Sequence, residues 1–320
     1  MKFFMIFGTI LLSIFTIVAI LLIASKINHE NLLKKEAIQY TAPGNIVEVN
    51  GKQLHVYAEG IGDITLVFMA GHGTSNPTLD FKPLWTRMID EFRIAIVERA
   101  GYGWSETSNS PRDIDTILKE TRMTLELSGE KGPYVLVPHS MSGLEAIYWA
   151  QKYPDEVKAI IGLDPITPET VDILPEPQKP QLYTMFFISR MGISRFMPDA
   201  DVEKNFPLIK SNVLSTQDKQ KYLAVFYKSA FSKDMLNEID YLKKNAEEVA
   251  RNEAPTNTPM YFFISDGQEV MVNGWKGTLS TYLSKISMGK QIQLDTDHYV
   301  HYEKAEIIAD EAKTFIRELK

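Results

Sequence analysis

From residue 45 to the C-terminus, short apolar runs alternate with amphipathic stretches, a pattern typical of a mostly parallel sheet covered by helices. Runs rich in β-branched or aliphatic residues predict strands at Ile46–Asn50, Gln53–Glu59, Ile64–Ala70, Arg93–Glu98, Tyr134–Pro138, Val157–Leu163, Met260–Ser265 and Gln291–Leu294. Hydrophobic spacings of three and four predict helices at Asp113–Ser128, Met141–Lys152, Trp275–Ile286 and Glu303–Leu319. Asn50-Gly51 predicts a tight hairpin between the first two strands. The sequence therefore predicts an α/β fold with a sheet of about eight strands.

The alternation stops between Pro165 and Pro259. A proline-rich start leads there into two or three helical segments, which predicts a helical insertion at about residues 166–256 of a domain spanning residues 45–320. Leu182–Met197 carries more apolar surface than a solvated helix needs. Two interpretations stay open for this segment: a cap that walls a substrate pocket, or a helix packed on the core of its own domain.

The N-terminal segment Phe3–Ala24 contains no charge and is long enough to cross a hydrocarbon layer of about 30 Å as a helix. A cleavable signal peptide is the alternative, but the run is too long for the usual apolar region and no small-x-small site follows it. We expect an uncleaved membrane anchor at residues 1–27 and a polar tether at residues 28–44. Lysines lie on both sides of the run, so their distribution does not decide the orientation. Because short N-terminal tails usually stay inside, we expect an extracytoplasmic domain.

The net charge of −7 and the scattered basic residues argue against a nucleic-acid partner. The chain has no cysteine, which excludes disulfides, thiolate metal sites and cysteine nucleophiles. Its histidines do not form a ligand cluster with metal-binding spacing. We therefore expect neither a metal nor a cofactor.

The segment Pro133–Leu144 is an apolar strand that runs directly into a helix, with Ser140 at the turn. A nucleophile elbow has this form, because a sharp strand-turn-helix lifts the serine hydroxyl clear of the sheet. The motif is usually written G-x-S-x-G, and here Pro138 and Ser142 stand at its glycine positions. Ser140 and Ser142 are also good helix caps, which is the structural alternative. The order of the remaining motifs favours Ser140 as a nucleophile.

The stretch Pro133–Pro165 resembles the nucleophile region of α/β-hydrolases of the esterase and lipase group, which often read P-Y-V-L-V-G-H-S-x-G-G. Leu66–Gly73 is similar to the third strand and oxyanion loop of that family. Glu98–Ser105 resembles its D-R-x-G-x-G-x-S loop, with glutamate in place of aspartate, and Asp297–His301 resembles its histidine loop. The resemblance runs from about Asn45 to the C-terminus, outside the insertion, and implies the α/β-hydrolase fold.

An acyl-transfer mechanism needs a base within hydrogen-bond reach of the serine. His298 lies between the last strand and the last helix, where it can reach the elbow. His301 competes for this role but falls where the helix is expected to begin. His139 precedes the nucleophile and is expected to support the site, while His29 and His55 are expected at the surface.

The third member of a triad is a carboxylate at a strand end that orients the imidazole. Asp164 follows the sixth strand, as in lipases of the pancreatic type. Asp266 and Glu269 follow the seventh strand, where the family most often keeps its acid, but neither falls at the usual offset. We favour Asp164 narrowly over the later loop.

The oxyanion requires two backbone N–H donors. Met141 supplies one as the residue after the nucleophile, at the positive end of its helix. His72 supplies the other from a loop in which Gly71 and Gly73 let the chain approach closely. His72 could also line the pocket with its side chain.

These residues predict a serine hydrolase that cleaves a carboxylic ester, of an acyl chain or a lipid-like compound, through an acyl-enzyme intermediate. A peptidase of the proline-iminopeptidase type is the first alternative, although no acidic cluster in the insertion is suited to a substrate amine. A catalytically silent binding protein is the second, because the elbow glycines are missing. Dehalogenases and epoxide hydrolases of this family generally carry aspartate where this chain has Ser140.

Overall fold

Eight strands form a single sheet in a computed structural model that describes residues 2–210, 213–268 and 272–319. The strands are β1 (Asn45–Val49), β2 (Lys52–Glu59), β3 (Thr65–Met69), β4 (Arg93–Glu98), β5 (Tyr134–Pro138), β6 (Val157–Leu163), β7 (Met260–Ile264) and β8 (Gly289–Gln293). Their order is β1-β2-β4-β3-β5-β6-β7-β8, with β2 antiparallel to both neighbours and every other pair parallel. The predicted sheet is confirmed.

Helices connect the parallel strands and fill the insertion. They are α1 (Lys2–Gln39), α2 (Pro77–Asp80), α3 (Lys82–Trp85), α4 (Ile114–Leu127), α5 (Ser142–Lys152), α6 (Pro168–Val171), α7 (Lys179–Arg190), α8 (Asp199–Asn205), α9 (Pro207–Lys210), α10 (Thr216–Ser229), α11 (Lys233–Arg251), α12 (Trp275–Leu283), α13 (Val300–Glu303) and α14 (Ala305–Glu318). Two 3₁₀ turns lie at Pro154–Glu156 and Ile193–Phe196. The hairpin between β1 and β2 turns at Asn50 and Gly51, whose φ angles of 52° and 73° suit a type I′ turn.

The central strands are apolar along their whole length because helices bury both faces of the sheet. On one face Val67, Leu136 and Phe262 pack with α4, α5, α11 and α12. On the other face Phe68 and Val137 pack with α3 and α14. The carboxyl ends of the parallel strands therefore meet at one edge, where the connecting loops lie.

The insertion between β6 and β7 divides into two parts. Ala246 and Val249 of α11 belong to the main core, so this helix completes the layer that flanks the sheet. The segments α7 to α10 lie over the loops at the carboxyl edge, where residues from α7 and α10 and from the loops after β3 and β8 line one cavity. We call α7 to α10, with the turn Ile193–Phe196, the cap.

Helix α1 continues to Gln39 without a break, across most of the segment that the sequence predicted as a tether. Its first part is a candidate membrane span with a mean hydropathy of 2.8 and side chains that the domain does not cover. Its last part touches the cap, through contacts described below. The polar part is helical because it is made largely of Leu, Lys, Glu, Ala and Gln, which favour helix.

Candidate active site

Ser140 occupies a strained turn between β5 and α5. Its φ angle is 53°, a left-handed conformation that a residue with a side chain adopts at a cost. The turn is held in place because the Ser140 N–H donates to the Leu163 carbonyl at 3.3 Å and its carbonyl accepts from the Ile166 N–H at 2.8 Å. The serine is partly exposed, as a nucleophile must be.

Two small residues after the turn explain why it folds without the usual glycine pattern. A Cβ on Gly143 would overlap the Ile166 carbonyl, so this position requires glycine. Ser142 replaces the second elbow glycine, and its buried hydroxyl lies 2.7 Å from the Met69 carbonyl and 2.8 Å from that of His139. The hydroxyl therefore ties the elbow to the end of β3.

His298 and Asp164 are brought together at the same edge of the sheet. The Nδ1 of His298 lies 2.6 Å from the Oδ2 of Asp164, which is fully buried directly after β6. The other oxygen, Oδ1, accepts from the Ser265 amide and from the Trp275 indole N–H, both at 2.9 Å. The carboxylate is therefore fixed by neighbours on both sides and faces the imidazole with one oxygen.

Of the two alternative acids, only Asp266 lies among the described residues. It is partly exposed, and its Oδ1 accepts from the Gln268 N–H at 2.8 Å within its own turn. Glu269 lies outside the described residues. The described contacts thus pair His298 with Asp164, and Asp266 serves its local loop.

His139 and His301 flank His298 inside the domain. The Nε2–H of His139 donates to the His298 carbonyl at 3.2 Å, and the rings of His139 and His301 are 4.8 Å apart. Burial lowers the pKa of His139 well below its usual value, and burial together with the nearby His298 lowers the pKa of His301 to about 3. Both rings are therefore neutral near pH 7. The side chain of His139 supports the histidine loop by donating to the backbone carbonyl of His298.

The loop after β3 is pressed against the elbow. A Cβ on Gly71 would lie 2.9 Å from the Cβ of Ser140, so only glycine allows this approach. His72 follows directly. On the other side of the serine, Met141 precedes the first turn of α5, which has no side-chain cap. The amides of His72 and Met141 thus belong to the two segments that flank Ser140.

A buried ion pair that the sequence did not reveal holds this loop. Arg99, after β4, donates from Nη1 to the Ala70 carbonyl at 2.7 Å and from Nε to Glu238 of α11 at 2.9 Å. Burial alone would raise the pKa of Glu238, but the Arg99 charge outweighs it and the pKa falls to about 2. Tyr102 donates to the same carboxylate at 2.5 Å, and His72 Nδ1 lies 4.0 Å from it. Helix α11 and the loop after β3 are thereby joined.

Two histidines expected at the surface are buried. His55 in β2 lies with its Nδ1 2.9 Å from Glu98, the carboxylate that also accepts from the Trp104 amide at 2.7 Å. His29 in α1 is covered by the cap. Glu98, the partner of His55, and the cap, which covers His29, are both distant in sequence from these histidines. A local pattern could therefore not reveal that the histidines are buried.

A cavity of about 620 Å³ lies between the site loops and the cap. His72 and Tyr299, the neighbour of His298, form its floor, and apolar side chains such as Leu182 and Met185 of α7 form much of its wall. Among its polar lining residues is Asp80, which accepts from the hydroxyls of two tyrosines, Tyr302 at 2.5 Å and Tyr222 at 3.2 Å. Burial raises the pKa of Asp80 to about 7. Among the described residues no group of three or more His, Asp or Glu side chains could hold a metal ion.

Comparison with known proteins places this geometry among related folds. A family model described as the α/β-hydrolase fold matches residues 60–190. The protein YbdG of Bacillus subtilis is 38% identical over 253 residues, which cover 78% of this chain and 77% of YbdG. An enol-lactonase of Burkholderia xenovorans superposes with a TM-score of 0.63 at 15% identity, over 86% of this chain and 100% of that one. An epoxide hydrolase of Vigna radiata gives 0.62 at 19% identity, over 86% and 97%. At these identities the two structures share the fold alone.

Proposed function

Because the chain belongs to the α/β-hydrolase superfamily, we propose that it is a serine hydrolase that cleaves carboxylic esters through an acyl-enzyme intermediate. Ser140 is the nucleophile, His298 the base and Asp164 the residue that orients the imidazole. The observation that carries the proposal is the 2.6 Å contact between His298 and a fully buried Asp164, beside a serine held at a φ of 53°. A strained serine next to an oriented histidine is the arrangement that acyl transfer needs.

The reaction follows from these roles. His298 accepts the Ser140 proton through Nε2 as Oγ attacks the ester carbonyl, and the negative charge of Asp164 stabilises the imidazolium. The oxyanion receives hydrogen bonds from the amides of His72 and Met141. His298 then gives its proton to the leaving alcohol, and a water molecule repeats the steps to release the acid and restore Ser140.

The cavity favours an ester with an apolar acyl chain over a peptide. Much of its wall is apolar. A peptidase that holds a substrate amine needs a carboxylate free to receive it. Glu238, whose carboxylate lies 4.0 Å from His72 Nδ1, is paired with Arg99, and Asp80 already accepts from two tyrosines. Neither carboxylate is free for an amine.

We further propose that α1 anchors the protein in a membrane and that the domain lies on its outer side. The domain buries none of the apolar side chains of Phe3–Ala24 and most of them are exposed, so only lipid would cover them in an isolated chain. A cleaved signal sequence is the alternative, and the mass of the mature protein in the membrane fraction distinguishes the two.

Kinetics on a series of p-nitrophenyl esters, from acetate to dodecanoate, test the activity with the full chain in detergent. We expect kcat/KM to rise with acyl length and the matched anilides to react far more slowly. Ser140→Ala must abolish turnover, and Ser287→Ala, at an exposed serine, must leave it unchanged. Ester turnover that survives Ser140→Ala would contradict the mechanism, and a folded wild-type chain without turnover would favour a silent binding protein.

A further inference from the structure

The polar end of α1 is fastened to the cap at three levels. The hydroxyl of Ser25 donates to the Met191 carbonyl at 2.7 Å. The Nε of Arg195 donates to His29 Nδ1 at 2.8 Å, and its two terminal nitrogens bind both oxygens of Glu36 at 2.7 Å. These contacts extend over about 16 Å of helix at 1.5 Å per residue. The position of the cap along the axis of α1 is therefore fixed relative to the apolar part of that helix.

The contacts between the polar end of α1 and the cap, which we call the joint, are tightly packed. Gly192 has a φ of 71°, and a Cβ there would overlap the side chain of His29. The Arg195 side chain is only 7% exposed, and it also stacks on the ring of Tyr227 in α10, 4.3 Å from the centroid. An arginine of the cap that stacks on Tyr227 within the cap and binds His29 and both oxygens of Glu36 in α1 fixes the orientation as well as the distance.

The joint places part of the cap at the depth of the hydrocarbon. The apolar run of α1 ends at Ala24, directly before the first contact. Val18 and Leu21 nevertheless line a groove of about 400 Å³ together with Ile193 and Phe196 of the cap. Val18 lies about 9 Å below Ala24 along the helix axis. If Phe3–Ala24 spans a bilayer, Ile193 and Phe196 reach into it.

The cap also exposes apolar side chains on the turn Ile193–Phe196 and on α7. Phe196 is 66% exposed, Tyr183 55% and Phe187 46%. Met185 is exposed as well and also lines the cavity, so the apolar surface of α7 continues from the outside into the cavity. Exposed aromatic patches of this kind mark interaction surfaces, and aromatic side chains are enriched where proteins meet lipid.

We propose that this face of the cap, α7 with the turn Ile193–Phe196, is embedded in the bilayer beside α1, and that the cavity receives an amphiphilic ester directly from the lipid. The second clause rests on the proposed hydrolase function, whereas the first does not. The partner of this face is a lipid bilayer, because the face adjoins the membrane-spanning part of α1 and begins at the level where that part ends. The inference holds for either orientation of the protein.

The absence of cysteine makes a direct test possible. Phe196→Cys and Phe187→Cys variants of the full chain, labelled with an environment-sensitive fluorophore, are placed in phosphatidylcholine vesicles that contain nitroxide-labelled lipid. Leu127→Cys is the control, since it is 55% exposed at the end of α4, the helix that leads into β5 at the opposite edge of the sheet. We expect blue-shifted emission and lipid quenching at positions 196 and 187 and neither at 127. Aqueous emission at both cap positions, or a blue shift without lipid quenching, as a second copy of the chain would cause, overturns the proposal.

A kinetic test addresses entry from the lipid. Phe187→Asp adds a charge to the proposed membrane face, and a carboxylate is costly to hold against lipid. We expect its rate on a long-chain ester dissolved in vesicles to fall about tenfold or more, with kcat/KM for a short water-soluble ester unchanged. Equal losses on both esters would contradict entry from the bilayer. If the wild-type chain hydrolyses neither ester, the proposed function fails, while the quenching result still decides the membrane contact.

Discussion

Replacement of Asp164 with asparagine tests the geometry of the site because the neighbours of this residue dictate how the amide must lie. The Ser265 amide and the Trp275 indole both donate to Oδ1 at 2.9 Å. The oxygen of an asparagine must take that position, since an NH₂ group there would face two donors. The NH₂ group then faces His298 Nδ1, where a carboxylate oxygen lies 2.6 Å away in the native chain.

The consequence is a reversed tautomer. With an amide donor at Nδ1, His298 carries its proton on Nε2 and cannot accept the proton of Ser140. We expect kcat to fall about 10⁴-fold, equivalent to about 5 kcal/mol of transition-state stabilisation, with KM within a few-fold of the wild-type value. Because the bonds to Oδ1 persist, the unfolding free energy should change by no more than about 2 kcal/mol.

Steady-state kinetics on a p-nitrophenyl ester and urea denaturation measure both quantities. Asp266→Asn and Glu269→Gln are the matched controls, since they neutralise the two alternative acids. The assignment of Asp164 is contradicted if Asp164→Asn keeps more than about a tenth of the wild-type kcat while a control variant loses orders of magnitude.

Three further substitutions test the surroundings of the site. Trp275→Phe removes the indole donor to Asp164 but keeps the ring, so kcat should fall about tenfold to a hundredfold with little change in KM; an unchanged kcat would contradict this. Glu238→Gln removes the carboxylate that pairs with the buried Arg99 and leaves Glu145, 3.8 Å from Arg99 Nη1, as its remaining acidic neighbour. Urea denaturation at pH 7 should therefore show a loss of about 3 kcal/mol; a loss below about 1 kcal/mol would refute it. The raised pKa of Asp80, about 7 against 3.8, means that its stabilising contribution is complete below about pH 4 and is lost as the pH rises through about 7. Relative to wild type, Asp80→Asn should therefore gain up to about 4 kcal/mol in unfolding free energy between those two pH values, and a constant difference would contradict the buried carboxyl.

The local pattern of apolar residues was sufficient to predict the sheet. The strand bounds predicted from the sequence differ from the observed ones by at most two residues, because apolar runs between turn residues can form little else. The candidate catalytic histidine could be predicted from the topology. A loop between the last strand and the last helix opens at the carboxyl edge of the sheet, where the elbow also lies. His298 lies there, beside Asp164.

The sequence favoured Asp164 over the later loop only narrowly because β6 and β7 are neighbours in the sheet. Carboxylates at the ends of adjacent parallel strands reach nearly the same point, so Asp164 and Asp266 are equivalent at the level of topology. The indole of Trp275, which fixes Asp164, lies 111 residues away along the chain. Such a partner is visible only after the fold has formed.

The contacts of α11 and of the cap could not be predicted from local sequence pattern either. Glu238 reads as one more charge on an amphipathic helix, and Arg195 as an ordinary basic residue. Their partners, Arg99 and Glu36, lie 139 and 159 residues distant. The polar end of α1 was predicted as a tether for the same reason, because nothing within residues 28–44 shows that the cap receives it.

Covalent labelling tests whether Ser140 is an activated nucleophile without knowledge of the natural substrate. The full chain is incubated with a fluorophosphonate at neutral pH, and the modified peptide is identified by mass spectrometry. We predict a single adduct on Ser140 that Asp164→Asn slows and Ser140→Ala abolishes. A folded wild-type chain that remains unlabelled, or an adduct on another serine that persists in Ser140→Ala, would contradict it.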